Sequence, residues 1–333
     1  MSNIKILDCT LRDGGYVNNW DFDINTTLSV ISLLKCAKVD YIETGFINKA
    51  QESRGTLFAS ISDVSNKLSD LPAHNNLLAM IKADKVPIES IPDSKYSKIK
   101  LIRLIFKKNK LDFGLNYAKN LVNKGYKVFI NPTFCTCYTD YELINLVQEV
   151  NSICPFAFSL VDSMGALYPS RIKQIFEILN NNLNKNIALC FHFHNNMQLA
   201  YLNVMEILKH KTNREIILDS TVFGIGRGAG NLQTELTLKY LNENFGANYN
   251  LLPVFEIIKN YILPIKNKTK WGSSIPYFLS AINKCHPYYG RFLDTNAKIN
   301  AFKINSILKS IPKDKKIYYD SSCISTLFSL MMK

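Results

Sequence analysis

The sequence alternates short runs of β-branched and apolar residues with longer stretches of helical periodicity, and this alternation repeats eight times. In the longer stretches apolar residues recur every three or four positions, as at Leu115, Ala118, Leu121 and Val122. The predicted strands cover eight segments, at 4–10, 40–46, 76–82, 101–106, 127–134, 156–163, 187–195 and 216–224. Eight strand–helix units in about 245 residues match a (β/α)8 barrel, which typically takes about 250 residues.

The competing α/β architecture, a doubly wound open sheet, is disfavoured by the segment after the first strand. Asp13-Gly14-Gly15 lacks the glycine spacing of a dinucleotide-binding loop and places a carboxylate where a pyrophosphate would lie. We therefore predict an α/β protein with a TIM barrel over residues 1–247. Residues 248–333 lose the alternation and are predicted to form a small helical C-terminal appendage. The helices expected there span 252–261, 275–284 and 299–308.

The composition is that of an ordinary globular protein, with 333 residues, 47% hydrophobic and 20% charged, which excludes collagen-like and disordered classes. Its 40 basic and 27 acidic residues give a net charge of +13. Such an excess can attract phosphates, nucleotides or CoA, but the scattered lysines favour codon bias in an AT-rich genome as its origin. The basic clusters at 107–110 and 313–316 are not interleaved with aromatics, so we expect no nucleic-acid binding.

The sequence predicts neither a membrane segment nor a targeting signal. No apolar run reaches the roughly 18 residues that a membrane helix needs. The first residues lead directly into a predicted core strand, which is not the pattern of a signal peptide. We therefore expect a cytoplasmic protein with no membrane partner.

Polar residues gather at the predicted C-terminal ends of the strands, where barrel enzymes have their active sites. His192 and His194 are two residues apart on a strand, so both imidazoles would face the barrel axis. Such a pair alone also occurs in other enzymes and on surface strands. With Asp13 it would make a site of two imidazoles and one carboxylate, suited to Mn²⁺, Mg²⁺ or a similar divalent ion rather than to thiolate-bound zinc.

Four segments at these strand ends carry longer motifs: D-C-T-L-R-D-G at 8–14, D-S-M-G at 162–165, H-F-H-N-N at 192–196 and G-I-G-R-G-A-G-N at 224–231. In the same order, they resemble the D-x-T-L-R-D-G, D-S-x-G, H-x-H-N and G-x-G-x-x-x-G-N motifs of the DRE-TIM metallolyases, the superfamily of HMG-CoA lyase. The resemblance covers residues 4 to about 245. It is closest to the 4-hydroxy-2-oxovalerate aldolase branch, through T-L-R-D-G-G-Y and the shape of the helical C-terminal region.

The resemblance implies that Asp13, His192 and His194 hold a divalent metal, with Asn231 as a further ligand or a neighbour of the ligands. We expect Mn²⁺, with Mg²⁺, Co²⁺ or Zn²⁺ as alternatives. Arg12 would bind the 2-oxo acid and the enolate formed from it. Retro-aldol cleavage of a 4-hydroxy-2-oxo acid leaves pyruvate enolate, whose developing charge a metal and a guanidinium would both stabilise.

The sequence leaves two alternatives for the residue that moves the proton of the 4-hydroxyl group, because the chain departs from the family pattern here. The aldolases have a histidine three residues after the metal-binding aspartate, and this chain has Tyr16 there. A tyrosine with its ordinary pKa of about 10 is a poor base near neutrality. We expect either Tyr16, with help from a cation, or His286 to take the role. The alternative for His286 is a helix-capping or packing residue.

Three further polar residues are expected to bind substrate, each with a structural alternative. Glu43 would organise the surroundings of the metal or simply pair with Arg12 or a lysine. Asp162 ends the sixth predicted strand and is the second candidate. Arg227, with the glycines of 224–230, would bind an anionic group or belong only to a tight turn.

The leading hypothesis is a metal-dependent aldolase that uses a small 2-oxo acid and an aldehyde. Tyr16 and the segment 271–276 suggest a larger aldehyde, such as a sugar-derived one. A second hypothesis is an acyl-CoA-dependent Claisen-type lyase or synthase, although 224–231 lacks the cysteine that lyases of that branch use. A third is a non-catalytic barrel subunit, which the intact metal triad disfavours. We also expect a homo-oligomer, and the resemblance allows an aldehyde dehydrogenase partner docked on the C-terminal helices.

Overall fold

The computed structural model describes residues 3–49, 51–69, 71, 76–134, 137–296 and 299–332. The described chain contains nine parallel strands. They are β1 (Ile4–Asp8), β2 (Tyr41–Ile47), β3 (Leu57–Phe58), β4 (Leu77–Lys82), β5 (Leu101–Phe106), β6 (Lys127–Pro132), β7 (Ala157–Asp162), β8 (Ala188–Phe193) and β9 (Ile216–Ser220).

Eight of these strands close into a barrel. The strand order is β1-β9-β8-β7-β6-β5-β4-β2, and the circle closes where β1 pairs with β2 at Leu7 and Tyr41. The short strand β3 pairs with the end of β2 and lies outside the circle. The predicted (β/α)8 TIM barrel is therefore confirmed. Each predicted strand overlaps an observed one, and the differences are confined to the strand ends.

Helices follow the barrel strands and cover the outside of the sheet. They are α1 (Thr10–Asp13), α2 (Gly15–Asn18), α3 (Ile24–Cys36), α4 (Ile61–Lys67), α5 (Leu111–Asn123), α6 (Asp140–Ile153), α7 (Pro169–Asn182), α8 (Ala200–Leu208) and α9 (Thr234–Phe245). Local sequence fixes several of their starts. Thr139 and Glu142 form a capping box before α6, and Pro169 occupies the first position of α7, where its missing N–H is not needed. Short 3₁₀ turns lie at Ile88–Ser90, Ser94–Tyr96, Lys108–Lys110 and Val222–Gly224.

The barrel interior changes character along the strands. Toward the strand beginnings it is filled by an apolar cluster that includes Leu78, Leu101, Phe129 and Ile217, all of them buried. Charged and polar side chains follow further along several of the strands. A strand covered on both faces must be apolar almost throughout, which is why the strands read as continuous hydrophobic runs. This apolar cluster at the strand beginnings, the lower half of the barrel, packs beneath the polar residues at the barrel mouth.

The C-terminal region is helical, as predicted. It contains α10 (Leu252–Ile257), a π-helical turn (Ile258–Ile262), α11 (Leu263–Lys268), α12 (Ile275–Ile282), α13 (Pro287–Asn296), α14 (Ala301–Ser310), α15 (Lys313–Lys316) and α16 (Ser321–Met332). Val254, Ile257 and Ile262 pack into the main barrel core. The later helices bury a separate core, around residues such as Tyr289 and Ile307. The domain boundary at residue 247 stays a prediction.

The later helices approach the C-terminal mouth of the same barrel. Phe134, which follows β6, has its ring centre 5.5 Å from that of His286 and 5.9 Å from that of Tyr318. The appendage therefore lies over its own barrel. Among the helices of the described residues, none is long and apolar enough to cross a membrane.

Candidate active site

A cavity at the C-terminal mouth of the barrel brings together most of the residues singled out by the sequence. Strand β1 runs directly into the short helix α1, which places Arg12 and Asp13 at the rim. Strand β8 ends beside them, and the segment after β9 returns over the opening. The side chains from these elements that line the cavity include Arg12, Asp13, Tyr16, His192, His194 and Arg227.

Asp13, His192 and His194 form a compact group of potential metal ligands. One ligand atom from each lies within 4.8 Å of the others, and all three residues are buried. The His192 Nε2 atom is 3.9 Å from Asp13 Oδ2. Asn231 donates a hydrogen bond from Nδ2 to Asp13 Oδ2. The sequence-predicted triad therefore comes together from strand ends that are separated by about 180 residues in the chain, as the barrel closure requires.

Two buried atoms beside this group support the view that it fits a cation. Within the described part of the chain, neither His194 Nδ1 nor Asn231 Oδ1 has a hydrogen-bond partner. Buried polar atoms are nearly always satisfied, so these two atoms beside a carboxylate and two imidazoles are suited to contact a bound cation or its ligands. Nitrogen and oxygen donors of this type suit Mn²⁺, Mg²⁺ and similar ions.

The charges around the group favour its metal-binding protonation states. Burial acts to raise the pKa of Asp13, but the charge of the Arg12 guanidinium holds that pKa well below its ordinary range. Burial and the charge of Arg227 lower the pKa of His194 well below its usual value. The carboxylate is therefore ionised and His194 is neutral near pH 7, which are the forms that coordinate metal ions.

Asp219 orients His192 from beneath. The Asp219 carboxylate oxygen Oδ2 lies 2.9 Å from His192 Nδ1, which leaves Nε2 on the side of Asp13. Burial tends to raise the pKa of Asp219, but Arg103 and His192 bring it down to about 2. Such carboxylate–imidazole pairs fix the ring orientation of metal-binding histidines. Asp219 was not predicted from the sequence, although it is a single carboxylate inside the mostly apolar strand β9.

A buried chain of ion pairs links Asp219 to Arg12. Arg103, fully buried in β5, binds Asp219 and also donates to Glu43 Oε2 at 3.2 Å. The Arg12 Nε atom donates to the same Glu43 oxygen at 2.8 Å, and Arg12 Nη1 donates to Asp13 Oδ1 at 2.6 Å. Arg103, like Asp219, was not predicted from the sequence.

This ion-pair chain determines which atoms of Arg12 and Glu43 are available to contact a substrate. No hydrogen bond from Arg12 Nη2 is found within the described residues, so this donor is available to a substrate oxygen in the cavity. Glu43 is completely buried and does not line the cavity. Its position favours the structural alternative, pairing with Arg12, over direct contact with substrate.

Tyr16 and Arg227 lie side by side at the cavity rim. The Arg227 guanidinium carbon is 5.8 Å from the centre of the Tyr16 ring. Burial raises the pKa of Tyr16 to about 12, although the charges of Arg227 and Arg12 act in the opposite direction. The phenol is therefore protonated near neutrality. Arg227 Nη2 also donates to the Ser163 carbonyl at 3.2 Å and lies 3.3 Å from His194 Nε2.

His286 and Asp162 do not line this cavity. His286 Nδ1 accepts a hydrogen bond from the Tyr288 backbone N–H at 3.1 Å, at the start of α13, and burial lowers the pKa of the imidazole well below its usual value. Asp162 accepts backbone hydrogen bonds from Ala166 at 3.2 Å and from Leu167 at 2.9 Å, and so closes the loop after β7. These contacts favour the capping interpretation for His286 and a structural role for Asp162.

Comparison with known proteins gives the same family as the motifs. The chain is 22% identical over 273 residues to a 4-hydroxy-2-oxovalerate aldolase of Geobacillus thermodenitrificans, covering 79% of this chain and 77% of the relative. It is 27% identical over 272 residues to a 2-isopropylmalate synthase of Staphylococcus carnosus, covering 75% of this chain and 51% of the relative. The chain thus spans about half the length of this synthase.

A solved structure shares the architecture over most of the chain. The N-terminal domain of a candidate aldolase from Bacteroides vulgatus superposes with a TM-score of 0.73 at 28% identity, covering 88% of this chain and 97% of that domain. The model of the HMGL-like family matches residues 3–251, which include the whole barrel. The chain therefore belongs to the HMGL-like family of the DRE-TIM superfamily.

Proposed function

We propose that this protein is a divalent-metal-dependent aldolase that cleaves or forms a 4-hydroxy-2-oxo acid through a pyruvate enolate. The observation that carries the proposal is the convergence of Asp13, His192 and His194 within 4.8 Å of one another, in the cavity that Arg12 also lines. The relationship to a 4-hydroxy-2-oxovalerate aldolase supports the same reaction class.

Asp13, His192 and His194 would hold the metal ion, with Asn231 Oδ1 as a further donor. A divalent ion held there would supply Lewis-acid stabilisation of the oxygen on which the enolate charge develops. Asp219 keeps the His192 ring in place, so the geometry of the ligands is set before substrate arrives. The expected ion is Mn²⁺.

Arg12 binds and orients the 2-oxo acid. Glu43 and Asp13 hold two edges of its guanidinium, which leaves Nη2 for a substrate oxygen. Because the guanidinium is fixed by these ion pairs, its positive charge is already in position when charge develops on the substrate. Tyr16 is the residue placed to move the proton on the oxygen of the aldehyde carbon. Its raised pKa suits proton donation in the direction of carbon–carbon bond formation.

Exchange of the pyruvate methyl protons in D₂O tests the proposal. NMR spectra with added Mn²⁺ should show deuterium entering the methyl group for the wild type. Asp13→Asn and His192→Ala should abolish the exchange, while Asp140→Asn, on an exposed helix start, should leave it unchanged. If the wild type binds Mn²⁺ but does not exchange pyruvate protons with or without an added aldehyde, the pyruvate-enolate proposal is wrong.

A second candidate function is acyl-CoA-dependent Claisen chemistry, which the relationship to a 2-isopropylmalate synthase favours. This reaction also needs a 2-oxo acid bound at a metal, so the same triad and Arg12 would serve it. Release of free thiol from acetyl-CoA in the presence of a 2-oxo acid would distinguish it from the aldolase reaction. The homo-oligomer and an aldehyde dehydrogenase partner stay predictions.

A further inference from the structure

A second cavity of about 430 Å³ opens beside the mouth cavity. It lies between the glycine-rich segment after β9 and the C-terminal helices α12 and α13. Tyr16 and Arg227 line both cavities, so these two side chains lie at the boundary between the second cavity and the proposed reaction site. Its volume falls in the usual range of ligand sites, about 300–1,000 Å³, and greatly exceeds the needs of a two-carbon aldehyde.

The lining of this second cavity is positively charged. Among the described residues, the lining includes three cationic side chains, those of Arg227, Lys270 and Arg291, and one carboxylate, that of Asp294. Within the described part of the chain, neither Lys270 nor Arg291 forms a salt bridge with an acidic side chain. Cationic groups that share a concave site without partner carboxylates raise the local concentration of anions.

Two buried hydrogen-bond donors belong to the same lining. Arg227 Nε and Trp271 Nε1 are buried, and neither has a partner among the described residues. The Trp271 ring is held by Lys266, whose Nζ lies 4.1 Å from the ring centre and donates to the Trp271 carbonyl. Unsatisfied buried donors are costly, so a ligand rich in acceptor oxygens would fit this wall better than an apolar one.

Tyrosine side chains complete the cavity wall. Tyr277 and Tyr288 line it from α12 and α13, opposite the glycine-rich segment after β9. Flat aromatic surfaces next to hydrogen-bond donors are suited to a chain that presents C–H groups on one side and hydroxyl groups on the other. The combination indicates a hydroxylated ligand with an anionic end.

From these observations we propose that the second cavity binds the acceptor aldehyde, and that this aldehyde is a hydroxylated, sugar-like compound carrying a phosphate or carboxylate group. This inference rests on the proposed aldolase function. The aldehyde carbon would lie near Tyr16, and the anionic group would lie between Lys270 and Arg291. In the condensation, pyruvate C3 loses one proton and bonds to the aldehyde carbon, whose oxygen gains one proton. The product is a 4-hydroxy-2-oxo acid with an anionic tail.

Calorimetric binding provides a test that does not depend on turnover. With Mn²⁺ and pyruvate present, glycerol 3-phosphate and D-glycerate serve as non-reactive probes of the phosphate and carboxylate arms, and glycerol is the neutral control. At least one anionic probe should bind tenfold or more tightly than glycerol. Arg291→Gln and Lys270→Gln should each weaken that binding. Lys309→Gln, an exposed lysine on α14 outside the cavity, should not.

Aldol kinetics provide the second readout. D-Glyceraldehyde 3-phosphate and D-glucuronate are compared with D-glyceraldehyde as partners for pyruvate. We expect kcat/KM at least tenfold higher for an anionic aldehyde, with the advantage lost in Arg291→Gln mainly through KM. Lys309→Gln should leave both this preference and pyruvate proton exchange unchanged, because the exposed side chain lines neither cavity.

The outcomes separate this inference from the proposed function. Pyruvate exchange without any preference for anionic probes or aldehydes would overturn the inference and leave the aldolase proposal intact. If the wild type shows neither pyruvate proton exchange nor aldol turnover, both the inference and the proposed aldolase function are wrong. Displacement of glycerol 3-phosphate by CoA, together with acetyl-CoA turnover, would assign the cavity to an acyl-CoA ligand and also overturn the inference.

Discussion

The Nδ1 atom of His192 lies 2.9 Å from the Asp219 carboxylate, while the Nε2 atom of the same ring is 3.9 Å from Asp13. The Asp219 carboxylate thus orients the His192 imidazole toward the Asp13 carboxylate. Asp219→Asn keeps the size of the side chain but weakens this control of the ring. We expect Mn²⁺ affinity, measured by calorimetry, to fall about 10- to 100-fold.

Asp140→Asn is the matched control for this prediction, because Asp140 lies at the surface and, among the described residues, forms an ion pair only with Arg171. The thermal stability of the variant should be measured alongside the Mn²⁺ titration. Asp219 also binds the buried Arg103, and removing the Asp219 carboxylate leaves the charge of Arg103 poorly compensated. An Asp219→Asn variant that is folded and binds Mn²⁺ as tightly as the wild type would contradict the assigned role.

Glu43 lies between two buried arginines, and its removal should affect stability strongly. Glu43→Gln deletes the negative charge that Arg12 and Arg103 share at 2.8 and 3.2 Å. Breaking a buried ion pair by removing one partner costs about 3–5 kcal/mol. Urea denaturation should show a loss of this order in the free energy of unfolding. Glu89→Gln, at an exposed position, should change it by less than about 0.5 kcal/mol.

Because Asp8 is buried, we expect the free energy of unfolding to depend on pH. Burial raises its pKa to about 6, against hydrogen bonds from Thr10 and Thr234 that act to lower it. The folded state therefore binds this proton more tightly than the unfolded state, whose pKa is about 3.8. The stabilisation from the proton is complete below that value and is lost as the pH rises to about 6, which amounts to about 3 kcal/mol.

Asp8→Asn should remove this dependence. The amide can accept from Thr10 N–H and donate to Thr234, whose hydroxyl is then free to donate to Ser220 Oγ, 2.8 Å away. Relative to the wild type, the stability of the variant should increase between pH 4 and pH 7, as measured by urea denaturation at each pH. Parallel stability curves for the two proteins would show that the buried Asp8 is ionised throughout this range.

The sequence was sufficient to predict the barrel and most of the mouth. Alternation along the predicted strand at 187–195 placed His192 and His194 on one face, and the motif at 8–14 pointed to Asp13. Arg103 and Asp219 were missed because a charged residue inside an apolar strand has no visible partner in the sequence. Their pairing joins β5 and β9, which come together only when the barrel closes.

The second cavity could not be predicted for a similar reason. Its two walls, one after β9 and one on α12 and α13, are brought together by packing of the C-terminal helices over the mouth. Periodicity identifies these helices but does not specify where they dock. For His286, residue type and loop setting suggested a catalytic role, and only the hydrogen bond from the Tyr288 backbone N–H to its Nδ1 atom favours the capping alternative.

Tyr16 and His286 can be distinguished by two variants. Tyr16→Phe should lower the aldol rate about 10²- to 10⁴-fold while pyruvate proton exchange continues, because only the proton donor for the aldehyde oxygen is lost. His286→Asn should preserve both reactions, since asparagine can also accept the hydrogen bond from Tyr288 N–H. Rates of exchange and of aldol formation are measured on the same samples. If His286→Asn lowers the aldol rate and Tyr16→Phe does not, the proton transfer belongs to His286.

Gly226 has no side chain at a point where the site leaves no room for one. A Cβ atom added there would lie 2.7 Å from Asp13 Oδ2 and still closer to Asn231 Nδ2. Gly226→Ala should therefore displace Asp13 or Asn231 and abolish detectable Mn²⁺ binding in calorimetry. Circular dichroism should show a folded barrel, because the clash is confined to the mouth rather than to the apolar lower half.

Gly246 offers a control that separates steric blocking from backbone strain. Its φ is +64°, and an added Cβ would meet nothing within 4 Å, so Gly246→Ala introduces only an unfavourable left-handed conformation. This should lower stability by about 1–2 kcal/mol and leave Mn²⁺ affinity unchanged. If Gly226→Ala binds Mn²⁺ as tightly as Gly246→Ala does, then Mn²⁺ binding does not depend on the positions of Asp13 and Asn231. The assigned ligand set is then wrong.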